Sequence, residues 1–445
     1  MVRYLPQMKS LSPLALTLAL FAAPALAAAS TSITVTSPLS SSTVGMPFVL
    51  TATASPCSSQ PIAAMGYSID VGNTTIVNST SINAQVTASA GAHVLHVKSW
   101  GNQGAGCDTD VSIEVSSSAS AGLFTDLTVS QPSAGAKLVS PFGLAATETQ
   151  CQSQPIAAMG YSIDNSSNTT IVYSTTVNAK VASPTGAHTL HVKSWGNQGA
   201  ACVSDVAINV VPSPTSTLPS SAIAVNAIQT LTNWEATGDA ATGSSGGISV
   251  SGITNLINSP SLSALSRQFI TSYSDHEGER FFASFGADTS ATNFLYDGWF
   301  YLPSPSTNIA NLEFDLNQVM ANGQTVIFGF QCDYWSKTWD YTANAGTPQQ
   351  PDDVWLPSKA ACNVQNWATN TWHHVQIAFS RDAAGNATYE SVWLDNVEQD
   401  LNITAQDAFA LGWSPVLLTN FQVDGMTSTP ATVTVYMDNL TVYRW

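Results

Sequence analysis

Charged side chains are scarce in this chain of 445 residues, and basic ones are the scarcest. The chain has 12 Lys and Arg against 29 Asp and Glu, and residues 222–445 alone have 6 basic and 21 acidic residues, a net charge of −15. Nucleic acids and anionic membranes are bound through basic surface, so neither is an expected partner. A neutral polysaccharide or a cation fits this charge better.

Long apolar runs are also lacking, except near the N-terminus. Residues 1–27 have the pattern of a secretory signal peptide: two basic residues, an apolar run over residues 14–23, and the cleavage site Ala25-Leu26-Ala27. The run is shorter than the roughly 20 apolar residues that span a bilayer. We therefore expect a secreted or cell-surface protein with no segment inserted in a membrane.

Two later stretches are near copies of each other. Residues 60–70 recur unchanged at 154–164, and residues 96–105 recur at 191–200. Stretches rich in small residues or proline, at 116–122 and 212–219, predict linkers after each copy. The organisation is therefore two repeated modules followed by one larger unit.

Each copy has the pattern of about seven short strands with turns between them. In the first copy Leu95 and Val97 alternate with His96 and Lys98 before a turn, which predicts a β-sandwich. The strand that enters Trp100-Gly101-Asn102 resembles a strand of tandem bacterial immunoglobulin-like domains. The resemblance implies two immunoglobulin-like β-sandwiches, over residues 31–116 and 124–211, with a structural role.

The six cysteines form an even set, which favours disulfides in an oxidising compartment. Two cysteines occupy the same places in each copy, so pairing within each copy is the simplest choice and leaves two for the third unit. The expected disulfides are Cys57–Cys107, Cys151–Cys202 and Cys332–Cys362.

The third unit, residues 222–445, is also predicted to be β-structure throughout. Its size and strand count suit a two-sheet jelly roll, which makes the expected fold class all-β. The predicted strands are Arg280–Phe285, Leu295–Leu302, Leu312–Asn317, Thr325–Trp335, Thr371–Ser380, Thr388–Leu394 and Thr432–Tyr443.

Two stretches of this unit resemble the concanavalin A-like lectin and glucanase superfamily. Residues 372–375 and the hairpin into residues 391–396 resemble the paired strands of laminin-G-type domains, and residues 434–440 resemble a closing strand. The resemblance implies a jelly roll whose concave face holds carbohydrate. In some relatives a closing-strand acid binds calcium, so Asp438 is a candidate ligand for a structural calcium. No other cofactor is expected.

Residues 313–318 resemble the active-site strand of laminarinase- and lichenase-type glucanases. In that family a Glu is the nucleophile, an Asp assists and a second Glu is the acid/base, and Glu313 and Asp315 match the first two positions. The third position holds Asn317 in a straight strand or Gln318 in a bulged one. Because neither amide can protonate a leaving group, the strand favours binding over cleavage. Glu313, Asp315, Asn317 and Gln318 are therefore candidate ligand contacts.

A neighbouring strand offers a carboxyl group that could replace the missing acid. Gln331, Asp333 and Trp335 share one face of the predicted strand over residues 325–335. Aromatic faces beside amides and carboxylates suit pyranose rings, although about half of these aromatics should belong to the core. The aromatic candidates are Trp299, Tyr301, Trp335, Trp339, Tyr341 and Trp355.

The sequence is compatible with three classes of function. The favoured one is a secreted or surface-displayed protein that holds a neutral polysaccharide on the concave face of the jelly roll. The second is a glycan-active enzyme on the same scaffold, either a hydrolase with Asp333 as a relocated acid or a lyase, for which no matching motif is found. The third is a structural or adhesive surface protein.

Overall fold

Strands dominate the computed structural model, which describes residues 32–44, 48–115, 127–152, 154–164, 168–197, 199–239 and 250–445. The predicted signal peptide at 1–27 and the predicted linker at 116–122 lie outside these residues. The described helices are three short 3₁₀ turns, Pro214–Thr217, Ile228–Thr230 and Val364–Asn366. Within the described part no helix is long and apolar enough to cross a membrane. The prediction of an all-β chain is confirmed.

The chain divides into two units, residues 1–123 and 124–445. In the described part of the first unit, strands β1, β3 and β6 form one sheet and β2, β8, β7, β4 and β5 form another. Leu50, Leu95 and Val97 are fully buried in the core of this unit. The strands are β1 (Ile33–Ser37), β2 (Ser42–Val44), β3 (Phe48–Ala54), β4 (Ile62–Ile69), β5 (Thr75–Val77), β6 (Ser81–Val86), β7 (Gly91–Gly101) and β8 (Gly106–Val115).

The second unit begins with the second copy of the repeat, which forms a similar sandwich. One sheet contains β9, β11 and β15, and the other runs through β13, β16, β17 and β10. Phe142, Leu190 and Val192 are buried in its core. The strands are β9 (Thr128–Gln131), β10 (Ala136–Val139), β11 (Phe142–Thr147), β12 (Gln150–Cys151), β13 (Gln154–Ile163), β14 (Thr170–Val172), β15 (Thr176–Val181), β16 (Gly186–Gly196) and β17 (Ala201–Val211). The assignment of both copies as immunoglobulin-like stays a prediction.

The remainder of the second unit contains every strand predicted for residues 222–445, with the one over 325–335 interrupted at Gly329. The strands are β18 (Ile223–Val225), β19 (Glu235–Asp239), β20 (Ser251–Ile257), β21 (Ser266–Tyr273), β22 (Gly278–Gly286), β23 (Asn293–Tyr301), β24 (Ile309–Val319), β25 (Thr325–Phe328), β26 (Phe330–Asp333), β27 (Thr338–Asn344), β28 (Asp353–Ala361), β29 (Trp372–Arg381), β30 (Asn386–Leu394), β31 (Val397–Gln406), β32 (Ala408–Phe409), β33 (Leu417–Gly425) and β34 (Ala431–Arg444).

These strands form two sheets. The groove sheet has the order β19-β22-β33-β24-β26-β27-β28, and the outer sheet has the order β20-β21-β34-β23-β29-β30-β31. The outer sheet continues into the second repeat, because β31 pairs with β10. Strand β24 is therefore a central strand of the groove sheet, with β33 on one side and β26 on the other.

An aromatic core lies between the two sheets and fixes the position of β24. Phe314 points into this core, with its ring centroid 4.8 Å from that of Phe300 on the outer sheet and 5.9 Å from that of Phe421 on β33. Leu316, two residues further on, is fully buried in the same core. Because side chains alternate along a strand, Glu313, Asp315 and Asn317 point to the opposite face.

The three predicted disulfides are confirmed. Cys57 is bonded to Cys107 and Cys151 to Cys202, and each of these bonds lies within one copy of the repeat. The third bond, Cys332–Cys362, joins the end of β26 to the segment after β28. Each closes a loop of 30 to 51 residues and so restricts the unfolded chain.

Candidate functional site

Three neighbouring strands place rows of buried polar side chains on the face of the groove sheet that points away from the aromatic core. Strand β24 pairs in an unbroken register from Asn311 to Gln318, so the strand is straight there and Asn317 shares the face of Glu313. The rows, read from β33 through β24 to β26, are Asp424–Asn311–Asp333, then Gln422–Glu313–Gln331, then Asn420–Asp315. Carboxylates and amides therefore alternate across the strands.

The amide of Gln422 separates two of the carboxylates. Its Nε2 donates to Glu313 Oε1 at 2.7 Å and to Asp424 Oδ1 at 2.9 Å, while its Oε1 accepts from Arg280 Nε at 3.2 Å. A donor shared between two carboxylates offsets their mutual repulsion and holds both side chains in place. Strand β33, which the sequence does not place beside β24, therefore supplies the donor that holds Glu313 and Asp424.

Asn311 is the second amide that lies between acidic side chains. Its Nδ2 donates to Gln331 Oε1 at 2.5 Å, and its neighbours across the sheet include Asp333 on β26. Asp333 Oδ2 accepts from the backbone N–H of Ser336, also at 2.5 Å. This bond holds the turn between β26 and β27 against the polar rows.

Asp315 is the buried acid of the third row and does not line the groove. Burial raises its pKa to about 7, against the opposing effects of the Phe330 N–H, the Arg280 charge and the Asn420 side chain. The Phe330 N–H donates to Asp315 Oδ1 at 3.1 Å. At mildly acidic pH, Asp315 is therefore a protonated carboxyl group within the sheet face.

An open groove of about 430 Å³ lies over one end of these rows. Trp335 is 58% exposed and Trp355 is 37% exposed, so both offer ring surface to a ligand. The ring of His276 contacts Trp335 edge-on, with centroids 5.9 Å apart. The functional side chains that line the groove are His276, Asn311, Glu313, Gln331, Asp333, Trp335, Trp355 and Asp424.

Several residues predicted for this site lie elsewhere. The prediction that Trp339 contacts a ligand is wrong, because Trp339 is fully buried in the core and stacks on Phe330 with ring centroids 5.2 Å apart. Tyr341 also packs on the core, against Tyr389. Asn317 is on the right face but does not line the groove.

Gln318 serves the packing of the strand end. Its Nε2 donates to the carbonyls of Asp288 and Ala291 at 2.7 and 2.9 Å, and its Oε1 accepts from Arg381 Nε at 2.5 Å. The prediction that Gln318 contacts a ligand is therefore wrong, since its hydrogen-bonding groups are engaged within the protein.

Trp299 and Tyr301 lie on the outer sheet, so the prediction that they share the groove with Glu313 is wrong. They are on β23, which pairs with β29 and β34. Trp299 stacks on His374 with centroids 4.3 Å apart and an angle of 5° between the rings. Alternation along β23 correctly predicts that the two side chains share a face, but not which sheet carries it.

Asp438 is surrounded by hydrogen-bond donors. Its carboxylate accepts from the side chains of Gln229, Ser261 and Ser263 and from the backbone N–H groups of Leu262, Ser263 and Asn439. Burial alone would raise its pKa, but these donors outweigh burial and lower it. A calcium ligand needs free oxygen lone pairs, so the prediction of Asp438 as a calcium ligand is wrong.

The sequence analysis missed the contribution of β33. Thr419, Phe421 and Val423 point into the core, while Asn420, Gln422 and Asp424 belong to the polar rows. The regular alternation of residues 417–424 is a strand signal of period two. That signal could have identified the strand, but not its place beside β24.

Comparisons with known proteins give structural likeness only. No protein family matches the chain, and no curated protein matches it by sequence. A structure of carbohydrate-binding modules from the β-sandwich superfamily is 10% identical, with 71% of this chain and 96% of that chain covered and a TM-score of 0.26. An endo-1,3-β-glucanase from Streptomyces sioyaensis is 10% identical, with 52% and 99% covered and a TM-score of 0.26.

The cellulose induced protein Cip1 is a third solved structure with a similar likeness. It is 12% identical, with 47% of this chain and 90% of that chain covered and a TM-score of 0.27. Identities and TM-scores this low assign neither a family nor a function to the chain.

Proposed function

We propose that the groove over β24 binds a neutral polysaccharide. The observation that supports this most is the combination of two exposed indole rings, Trp335 and Trp355, with a floor of alternating amides and carboxylates. Pyranose rings have apolar faces that pack on aromatic rings and hydroxyl edges that hydrogen-bond to such polar groups. A volume of about 430 Å³ lies within the range of small-molecule sites.

The charge of the groove favours an uncharged ligand. Glu313, Asp333 and Asp424 line it, and carboxylates this close to a bound uronic acid or sulfate would repel it. Hydroxyl groups can instead donate to the same oxygens. The ligand that fits is therefore a glycan without acidic groups.

We further infer that the protein acts outside the cell. Three disulfides are formed, and such bonds persist in oxidising compartments. In this proposal residues 31–116 and 124–211 are immunoglobulin-like modules that carry the domain at 222–445.

Glycan retention by tryptophan variants tests the proposal. The full chain is titrated with laminarin, mixed-linkage glucan, xylan and cellulose. Trp335→Ala should weaken binding to the retained glycan by about tenfold or more, because an anchoring indole is lost. Trp413→Ala is a matched control, since Trp413 is 42% exposed but does not line the groove. If no glycan is retained, the groove proposal is wrong and a structural role is favoured. If a glycan is retained and Trp335→Ala binds it like the parent, the groove proposal alone is wrong.

The register of the groove sheet supports hydrolysis as a second candidate. Asp333 and Asp424 lie diagonally across from Glu313, and diagonal residues on paired strands are about 7–8 Å apart. Carboxyl pairs of glycosidases are separated by roughly 5–9.5 Å, so either Asp could act as the acid. New reducing ends that disappear in Glu313→Gln would establish cleavage, whereas retention without new reducing ends would exclude it for the glycans tested.

A further inference from the structure

A second cleft lies away from the groove, where the second repeat meets the outer sheet. Its volume is about 560 Å³. The second repeat contributes Gln131, Asn178 and Lys180 to its lining, and the C-terminal region contributes Thr371, Trp372 and Gln399. All of these residues lie within the unit 124–445.

The walls of the cleft are held together by a continuous sheet. Leu138 of β10 is opposite Val397 of β31, and the Val139 N–H donates to the Asn396 carbonyl at 2.7 Å. Lys137 Nζ also forms an ion pair with Asp400 at 2.6 Å. Paired backbones fix the two walls relative to each other, so the cleft is preformed.

The second repeat differs from the first at this contact. In the aligned copies Thr43 occupies the place of Lys137, and Gly45 occupies the place of Val139. Val139 packs with Leu295 and Trp393 in a small hydrophobic cluster of its own. The residues that attach the second repeat to the outer sheet are therefore particular to that repeat.

A row of aromatic side chains leads across the outer sheet into the cleft. Tyr436, Tyr301 and Trp372 are direct neighbours on β34, β23 and β29. The ring centroids of Tyr436 and Tyr301 are 5.8 Å apart, and those of Tyr301 and Trp372 are 5.5 Å apart. All three rings are half-buried, and Trp372 also lines the cleft.

The polar groups around this row suit hydroxyl-rich ligands. Gln268 Nε2 donates to the Tyr436 hydroxyl at 3.3 Å at one end of the row. Amide and hydroxyl side chains of Gln131, Asn178, Thr371 and Gln399 line the cleft at the other end. Lys180 and Asp395 also line the cleft, one of each sign, so the lining has no excess of either charge. Aromatic rings in series followed by amide and hydroxyl groups match the alternating faces and edges of a sugar chain.

We propose that this aromatic row and the junction cleft form a second binding site for a neutral glycan chain. The site is on the sheet opposite to the groove and uses residues of both the second repeat and the C-terminal region. It does not depend on the groove, so either site can bind without the other.

Calorimetric titration of the full chain with hexasaccharides of β-1,3- and β-1,4-linked glucose and of β-1,4-linked xylose tests the proposal. The parent chain should bind one of these hexasaccharides at two sites. Trp335→Ala should retain only the junction site, and Trp372→Ala should retain only the groove site. Asn178→Ala should weaken the junction site by severalfold, because it removes an amide from the wall that the second repeat supplies. Asn83→Ala is its matched control, since Asn83 is the equivalent exposed residue of the first copy.

The outcomes separate the two sites. If Trp372→Ala and Asn178→Ala weaken binding and Trp335→Ala leaves it intact, the junction site is supported and the groove proposal is refuted. A single site that is lost in Trp335→Ala and unchanged in Trp372→Ala refutes the junction site alone. The absence of any binding to the three hexasaccharides counts against both sites, and thermal unfolding confirms that each variant is folded.

Discussion

Substitution of Asp315 by Asn should make the C-terminal region more stable at neutral pH. Asp315 is an acid whose pKa burial raises to about 7 from its ordinary value of 3.8. Asn has nearly the same shape, and its Oδ1 can still accept the Phe330 N–H that Asp315 accepts in the parent. The substitution therefore removes a titrating group with little change in packing.

The sign of the effect follows from the direction of this pKa shift. The folded state binds the proton more tightly than the unfolded state, so the stabilisation is fully present below about pH 4 and is lost as the pH rises to about 7. A shift of about three units corresponds to roughly 4 kcal/mol at most. We expect Asp315→Asn to gain about 2–4 kcal/mol over the parent at pH 8 and little at pH 4.

Urea unfolding between pH 4 and pH 8 measures this difference. Ten of the twelve Trp residues lie after residue 222, so tryptophan fluorescence reports mainly on the C-terminal region that contains Asp315. The free energy of unfolding should depend less on pH in the variant than in the parent. Parallel pH curves for the two proteins would refute the reasoning, because Asp315 would then titrate alike in the folded and unfolded states.

Two further substitutions test the assignments made above. Burial alone would raise the pKa of Asp288, but donors from Ser290, Ala291 and Arg444 outweigh burial and lower it to about 2. Asp288→Asn should therefore cost about 1–2 kcal/mol at pH 7 in urea unfolding, and the cost should vanish as the pH falls from 4 to 2. Trp339→Ala should cost about 3–5 kcal/mol as a core truncation, yet the folded fraction should keep its glycan affinity in the titration used for Trp335→Ala.

Local alternation in the sequence was enough to predict the strand at the centre of the site. Phe314 and Leu316 face the core, as their spacing from Glu313 and Asp315 indicates. The position of cysteines within the two repeats was likewise enough to choose the disulfides from among the alternatives. Both inferences depend on residues close in sequence or on an internal copy, which a single chain supplies.

The aromatic predictions failed where they needed information from another strand. Trp335 and Trp339 are separated by a turn in which Lys337 has a φ of 63°, so counting residues across it gives the wrong face. Trp339 is opposite Cys332 in the β26–β27 pair, and Cys332 is buried. For Trp299 the face along the strand was predictable, but the sheet that contains β23 depends on long-range pairing.

The side chains of the groove sheet also help to distinguish glycan binding from glycan cleavage. Glu313 accepts a hydrogen bond from an amide, Gln422, and its neighbour on β26 is another amide, Gln331. A general acid must instead carry a proton that it can release to the leaving group. Burial raises the pKa of Asp315 to about 7, but Asp315 does not line the groove and accepts the Phe330 N–H. Asn317 is an amide and cannot supply that proton, so cleavage would need the carboxyl group of Asp333 or Asp424, and we propose a groove that binds sugar without cleaving it.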